Sequence, residues 1–423
     1  MNRFICFITL FIIFLFPFLS NAQNFWQHTS GPDGGDIICL ALNSNGHIFA
    51  GSRTNGVYLS TDNGNNWSQK NTLLTSPYIR SLAINSNGHI FVGTNPVYGT
   101  SGGGIYRSTD NGNTWAQINI GLTGTDIWGI FSLVVSSSGF IFAGTEDYKV
   151  FLSTNNGNNW IQVGTLNGSV LSFAITSNGH IFAGTKGGGV YRSTDNGNNW
   201  TQINTGLTNK YVQSLAINSI GQIFAGTNVV YRSTDNGNIW TQVSLEPTYI
   251  TSFAINSSGH IFYGANAAGV YRSTDNGNNW TQLNKGLTNT AVLSLVISPN
   301  GYIFAGVDGK VFRSIQSTTS IDETDMGIPP SFVLLQNYPN PFNPITTIKF
   351  ALPVRAKVNL SIYNLLGEKV AELVNEQLGI SNHEIEWNAS NYSSGIYFYS
   401  INTVPSTSSG QAFREIKKMI LVK

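Results

Sequence analysis

Residues 171–202 read LSFAITSNGHIFAGTKGGGVYRSTDNGNNWTQ. Four apolar-rich runs arise from that stretch: Leu171 to Thr176, His180 to Thr185, Val190 to Ser193, and Trp200 to Ile203. Ser177-Asn178-Gly179, Gly187-Gly188-Gly189 and a polar turn after Ser193 separate them. Alternating apolar residues bounded by Asn-Gly and Gly-Gly clusters are hairpin signals, so four short antiparallel strands are expected. No segment of the chain shows sustained helical periodicity.

The unit recurs. Gly179 has counterparts at Gly46, Gly88, Gly139, Gly221, Gly259 and Gly301, 38 to 51 residues apart, the period of four-stranded propeller blades. The seventh unit runs from Leu293 to Ser314 and stops before a Trp-bearing fourth strand. Phe25-Trp26-Gln27-His28-Thr29-Ser30-Gly31 resembles Trp200-Thr201-Gln202-Ile203-Asn204-Thr205-Gly206. The first strand of the chain is therefore expected to complete the last blade, which pairs both ends and removes exposed edges. The chain is predicted to be all-β, with a seven-bladed β-propeller over 23–314.

The turn Ser-x-Asp-x-Gly-x-x-Trp stands at Ser60 to Trp67, Ser108 to Trp115, Ser193 to Trp200, Ser233 to Trp240 and Ser273 to Trp280. The third unit carries Asn155 in place of the Asp, before Gly157 and Trp160. This pattern resembles the Asp-box, or bacterial neuraminidase repeat. The same box occurs in sialidases, sortilin-type receptors, xyloglucanases and photosystem II assembly factors, so the resemblance implies a propeller and no particular activity. A structural role is expected at Asp62, Trp67, Asp110, Trp115, Asn155, Trp160, Asp195, Trp200, Asp235, Trp240, Asp275 and Trp280. There the acid or amide accepts turn N–H bonds and the Trp ring packs on neighbouring strands. Asn155 serves such a turn and could not act as an acid or base.

No metal site and no cofactor are expected. Counted from Asp62, the twelfth position is Leu73, where a calcium hand needs Glu. His47, His89, His180 and His260 occupy one strand position in different blades and cannot converge on a metal. The Gly runs 102–104 and 187–189 fall between strands, without the helix a phosphate loop needs. Cys6 lies in the expected leader, which leaves Cys39 alone. It occupies the place of Ser81, Ser132, Ser172, Ser214, Ser252 and Ser294, as a small strand residue.

Ligands are expected on the face opposite the Asp-boxes, where blade connections and the loops between second and third strands meet. Residues outside the repeat consensus there are Arg53, Tyr78, Arg80, Tyr98, Trp128, Glu146, Asp147, Tyr148, Lys210, Tyr211, Glu246 and Tyr249. Arg107, Arg192, Arg232, Arg272 and Arg313 belong to the repeat, so the arginine triad of a sialidase is not evident. Just before the Ser (or Cys39), the strand-entry residues are Ile38, Arg80, Phe131, Leu171, Gln213, Thr251 and Leu293, mostly apolar. Glu146-Asp147 with Glu246 could form the carboxylate pair of a hydrolase.

Charged residues are only 10% of the chain, and the formal net charge is +1. Neither nucleic acid nor an anionic membrane is an expected partner. Arg3, the apolar run Phe4 to Leu19 and Ser20-Asn21-Ala22 predict a signal peptide over 1–22, with no transmembrane segment in the mature chain.

Residues 315–331 read as a linker, and 332–423 as a small Ig-like β-sandwich of six strands. Asn337-Tyr338-Pro339-Asn340-Pro341-Phe342-Asn343-Pro344 and Val358 to Gly367 resemble the type A C-terminal sorting domain of the type IX secretion system. Gly395-Ile396-Tyr397-Phe398-Tyr399 and Lys418 to Lys423 continue the resemblance. It implies recognition by an outer-membrane translocon, and a protein secreted from, or displayed on, a Gram-negative cell. The expected function is a binding or adhesion module for an unknown glycan or protein, without catalysis of its own. The alternatives are an extracellular glycoside hydrolase, sialidase- or xyloglucanase-like, and an assembly-factor-like chaperone.

Overall fold

A computed structural model describes residues 24–96, 103–122, 129–244, 248–318, 332–379, 381–405 and 412–423. The expected signal peptide lies outside them. The described residues divide into two compact units, 24–318 and 332–423. All described elements are strands, and among the described residues no helix is long and apolar enough to cross a membrane.

The first unit is the seven-bladed propeller. Six sheets of four strands follow the chain in order, and blade 4 is built from Val170–Ile175, Ile181–Thr185, Gly189–Ser193 and Thr201–Gln202. The seventh takes Ser294–Ile297, Ile303–Val307 and Lys310–Ser314, and its outer strand is Trp26–His28 from the other end of the chain. Trp26 pairs with Ser314, Gln27 with Arg313 and His28 with Phe312. The innermost strands pack on one another around the ring, blade 7 against blade 1.

Period-two alternation explains the core. In the second strand of blade 4, Ile181 and Ala183 face blade 3, and Phe182 faces blade 5. Every second strand is buried this way, and its glycine lets adjoining blades touch. A Cβ on Gly93 would lie 2.6 Å from the Ile130 carbonyl oxygen of the next blade and 2.5 Å from Ser81 Oγ. Beside that glycine, Ser81 Oγ donates to the Ile130 carbonyl (3.2 Å), Ser132 to Val170 (2.9 Å) and Ser294 to Ile37 (3.2 Å). These bonds staple blade to blade. Cys39 occupies the position in blade 1, where burial pushes its thiol up to about 12.

The propeller runs on past Ser314, which moves the start of the expected linker. Ile315 N donates to the Phe25 carbonyl, and Thr318, fully buried, donates to the Gly301 carbonyl. Asn256 Nδ2 donates to Thr318 Oγ1 at 3.3 Å. Elsewhere the equivalent amides, Asn85 and Asn218, reach Asn156 and Asn276 in the box turn of the next blade. Thr318 thus stands where blade 7 lacks a box.

The second unit packs two antiparallel sheets over one core. One holds Val333–Leu334, Ile345–Leu352 and Ser381–Asn388, and the other Lys369–Leu378, Ala356–Tyr363, Gly395–Pro405 and Phe413–Leu421. Ile348, Phe350, Leu360, Ile362, Tyr399 and Met419 fill the space between them. The short strand Val333–Leu334 was not among the expected six.

Candidate functional site

Antiparallel blades place all box turns on one face. Ser108 Oγ donates to Asp110 Oδ1 (2.8 Å) and accepts from Gly112 N (2.8 Å). Asp110 Oδ1 also accepts from Thr114 N (2.9 Å), and Oδ2 accepts from Thr114 Oγ1 (2.6 Å). Asn111 at φ 61° and Gly112 at φ 83° turn the chain, the second in a conformation suited to glycine. Asp62, Asp195, Asp235 and Asp275 accept the same backbone N–H bond on Oδ1, and at Asp62, Asp195 and Asp275 an Asn side chain donates to Oδ2 as Thr114 does. Asn155 Oδ1 repeats them, accepting from Ser153 Oγ (3.0 Å) and Asn159 N (3.0 Å).

The box tryptophans point between blades. Trp115 Nε1 donates to the Lys70 carbonyl, Trp160 to Ile118, Trp240 to Ile203 and Trp280 to Val243, each at 2.7 to 3.0 Å. Trp67 and Trp200 are packed in the same place without such a bond. The repeat arginines clamp from the other side: Arg107, Arg192 and Arg232 donate to the carbonyls of Asn156, Asn236 and Asn276 in the following box turn. The histidines lie on this face too, and His180 meets Asn236 of the next blade at 3.1 Å.

The opposite face gathers residues that break the repeat. Arg53 Nε, one of the residues expected on this face, forms an ion pair with Asp36 at 2.7 Å. Arg80 occupies a β-bulge in the innermost strand of blade 2, a feature shared by Ile38, Phe131, Leu171 and Thr251. Its guanidinium lies over the Phe131 ring, 5.1 Å from the centroid. Burial first, and then the charge of Arg53, lowers the Arg80 pKa, while Glu146 opposes them. Arg80 therefore feels the charges of both Arg53 and Glu146 where blades 1, 2 and 3 meet.

Between blades 5 and 6, the Tyr211 and Tyr249 rings lie 5.5 Å apart at 54°. Tyr249 is 37% exposed, and its hydroxyl donates to Gln213 Oε1 at 3.3 Å. Burial, and then Tyr211, raises the Tyr249 pKa above its ordinary value. In the sequence Gln213 and Phe131 stand only as strand-entry residues, and Asp36 carries no signal. Glu146 and Asp147 are exposed beside Tyr148, a half-exposed ring at φ 70°. Tyr78 is half-buried on the connection into blade 2. Tyr98, Trp128 and Glu246 lie outside the described residues.

In the second unit the motif residues meet across the domain. Tyr399 Oη donates to the Leu335 carbonyl and accepts from Asn337 N at 2.8 Å, and burial pushes its hydroxyl up to about 12. Asn337 Nδ2 donates to Thr346 Oγ1 (2.9 Å), and Asn340 Oδ1 accepts from Ile420 N (2.9 Å). The Asn-Tyr-Pro-Asn stretch thus ties the entry of the domain to its last strand.

Residues 336–414 match the family described as the secretion system C-terminal sorting domain. The C-terminal unit carries that domain, and the protein is exported by the type IX system to the cell surface or the medium. Among solved structures the chain is similar to PorZ of Porphyromonas gingivalis, described as an essential bacterial surface component of the type-IX secretion system. Identity is 16% and the TM-score 0.55, over 93% of this chain and 60% of that one. It is similar to YCF48 bound to D1 peptide, at 16% identity and a TM-score of 0.58, over 71% of this chain and 98% of that one. It is also similar to the GH74 enzyme of Niastella koreensis, at 15% identity and a TM-score of 0.55, over 92% of this chain and 67% of that one. At such identities the likeness is one of fold. The chain spans about 60% of the length of the PorZ structure. A search among curated proteins gives no match.

Proposed function

We propose that this exported propeller is a binding module whose ligand meets the face opposite the box turns, with no catalysis of its own. One observation carries the reading. The repeat residues bond turn to turn and blade to blade, whereas Arg53, Arg80, Tyr211 and Tyr249 lie on the other face. The Tyr211–Tyr249 pair beside the Gln213 amide suits a sugar ring, whose C–H face packs on an aromatic ring while its hydroxyls bond amides and phenols. Residues 1–22 serve as the signal peptide in this reading, and 332–423 as the part read by the secretion machinery. The box turns, with Asn155 among them, act structurally.

The test is binding of the purified full chain to a glycan array, alongside a Tyr211→Ala, Tyr249→Ala variant and Arg80→Ala. Specific binding that disappears in the aromatic variant supports the module. Binding unchanged in every variant, or silence across the array, removes the glycan form of it. Turnover of a bound glycan, abolished in a Glu146→Ala, Asp147→Ala variant that keeps its fold, would instead make the protein a hydrolase.

A further inference from the structure

The hairpin between Ala356–Tyr363 and Lys369–Leu378 turns on Asn364-Leu365-Leu366-Gly367-Glu368. Hydrogen bonds across the turn hold it. Asn364 Oδ1 accepts from Leu366 N and Glu368 N, both at 3.0 Å, Asn364 N donates to the Glu368 carbonyl, and Gly367 N donates to the Asn364 carbonyl. Gly367 sits at φ 82°. Asn and Gly thereby supply what a tight turn requires. The two central positions are open to any polar residue, yet both are leucine.

Leu365 is 69% exposed and Leu366 83%. Among the described residues they are the only two consecutive large apolar side chains so exposed. Single exposed apolar residues are ordinary, as at Ile220 and Ile239 in the propeller turns. A pair on a rigid tip differs, because its conformation is fixed before any partner arrives and little ordering entropy is lost on docking. The tip also lies inside 336–414, the stretch that makes this unit a sorting domain, so it is continuous with a surface whose partner is the secretion machinery.

We infer that Leu365 and Leu366 are a docking tip that inserts into an apolar pocket of the outer-membrane component of the type IX machinery that reads this domain. The flanking Asn364–Glu368 hydrogen bond and the Lys369–Glu372 ion pair keep the base of the hairpin polar, which confines the apolar contact to the tip.

The experiment follows the full chain in a type IX-secreting host. Leu365→Asn with Leu366→Asn should cut the externalised fraction at least tenfold and leave the chain in the periplasm. Leu365→Met with Leu366→Met should pass, and so should Val404→Asn, at another exposed apolar site of the unit. Externalisation of the Asn pair at the normal level overturns the inference. Thermal melting of the purified variants checks the fold. A photo-crosslinking residue at 366 gives a reading that needs no change in secretion. Capture of an outer-membrane component of the machinery, identified by mass, supports the tip, and capture of nothing or of another protein overturns it. Deletion of 332–423 separates the two ideas, because externalisation of that truncated chain would overturn the sorting role itself.

Discussion

Trp26 Nε1 donates to the carbonyl of Leu283, 2.5 Å away across the junction of the last two blades and 257 positions along the chain. The box tryptophans Trp115, Trp160, Trp240 and Trp280 make the same bond to the preceding blade where the chain runs on between the two. One N-terminal residue thus repeats at the seam what the boxes do elsewhere. Trp26→Ala should cost about 3–5 kcal/mol, from lost burial and a cavity at the seam. Trp26→Phe should cost less, since most of the apolar area remains. Urea unfolding reads both, and a Trp26→Ala midpoint equal to the parent's would refute the seam.

Cys39 is the one exception among the inter-blade serines. Its sulfur donates to the Gly51 carbonyl of its own blade, at 4.0 Å. Cys39→Ser should gain a bond to the next blade, where Ser81 and Ser132 make theirs, worth about 0.5–1.5 kcal/mol. The native thiol should resist alkylation at pH 8 and react once the chain unfolds, because burial holds it protonated until about 12. The sign follows from linkage. The folded thiol's pKa is raised, so its contribution is whole below the unfolded value and is lost as pH climbs from there towards about 12. Rapid alkylation of folded protein would contradict this.

Much of this was legible in the residues. The Asn-Gly and Gly-Gly punctuation marked the blades, and the missing Trp of the seventh unit, set against Trp26, revealed the closure. Thr318 was not legible, since its role comes from occupying the space of an absent turn, and a Ser/Thr-rich stretch carries no sign of that. The Arg53–Asp36 pair joins a hairpin loop of blade 1 to the entry of that blade, and the Tyr211–Tyr249 pair joins the entries of blades 5 and 6. Repeat analysis isolates such residues as exceptions, but it cannot say which exceptions meet. The inter-blade staples were hidden for the opposite reason, because a consensus Ser beside a consensus Gly reads as ordinary strand.

The box carboxylates should make the propeller acid-sensitive. The Asn66 side chain lowers the pKa of Asp62, Thr114 that of Asp110, Asn199 that of Asp195, and the Ile239 N–H that of Asp235. A depressed folded pKa gives stability that is present above the unfolded value, about 3.9, and is lost as pH falls through the folded one. Stability should therefore drop below about pH 4. Asp110→Asn, which copies the natural Asn155, should keep the turn and flatten that drop, whereas Asp110→Ala should lower stability at neutral pH as well. Melting curves at several pH values distinguish them, and identical slopes for Asp110→Asn and the parent would count against the carboxylates.

The glycine of the second strand sets how closely blades can approach. At Gly93 an added Cβ would meet three atoms: Ser81 Oγ at 2.5 Å, and Ile130 Cγ2 and the Ile130 carbonyl oxygen at 2.6 Å. Two of these can move, since they belong to side chains. The third is backbone of the next blade, so Gly93→Ala should spread blades 2 and 3 and cost about 1–3 kcal/mol. Ser81→Gly, added to it, should recover only part of that cost, because the carbonyl remains in the way. Gly379→Ala, with no atom near its Cβ, is the matched control and should be close to neutral. A double-mutant cycle of Gly93→Ala with Ser81→Gly measures the shared part. Full recovery in the double variant would mean that the serine alone limits the approach, and that the backbone of blade 3 yields without cost.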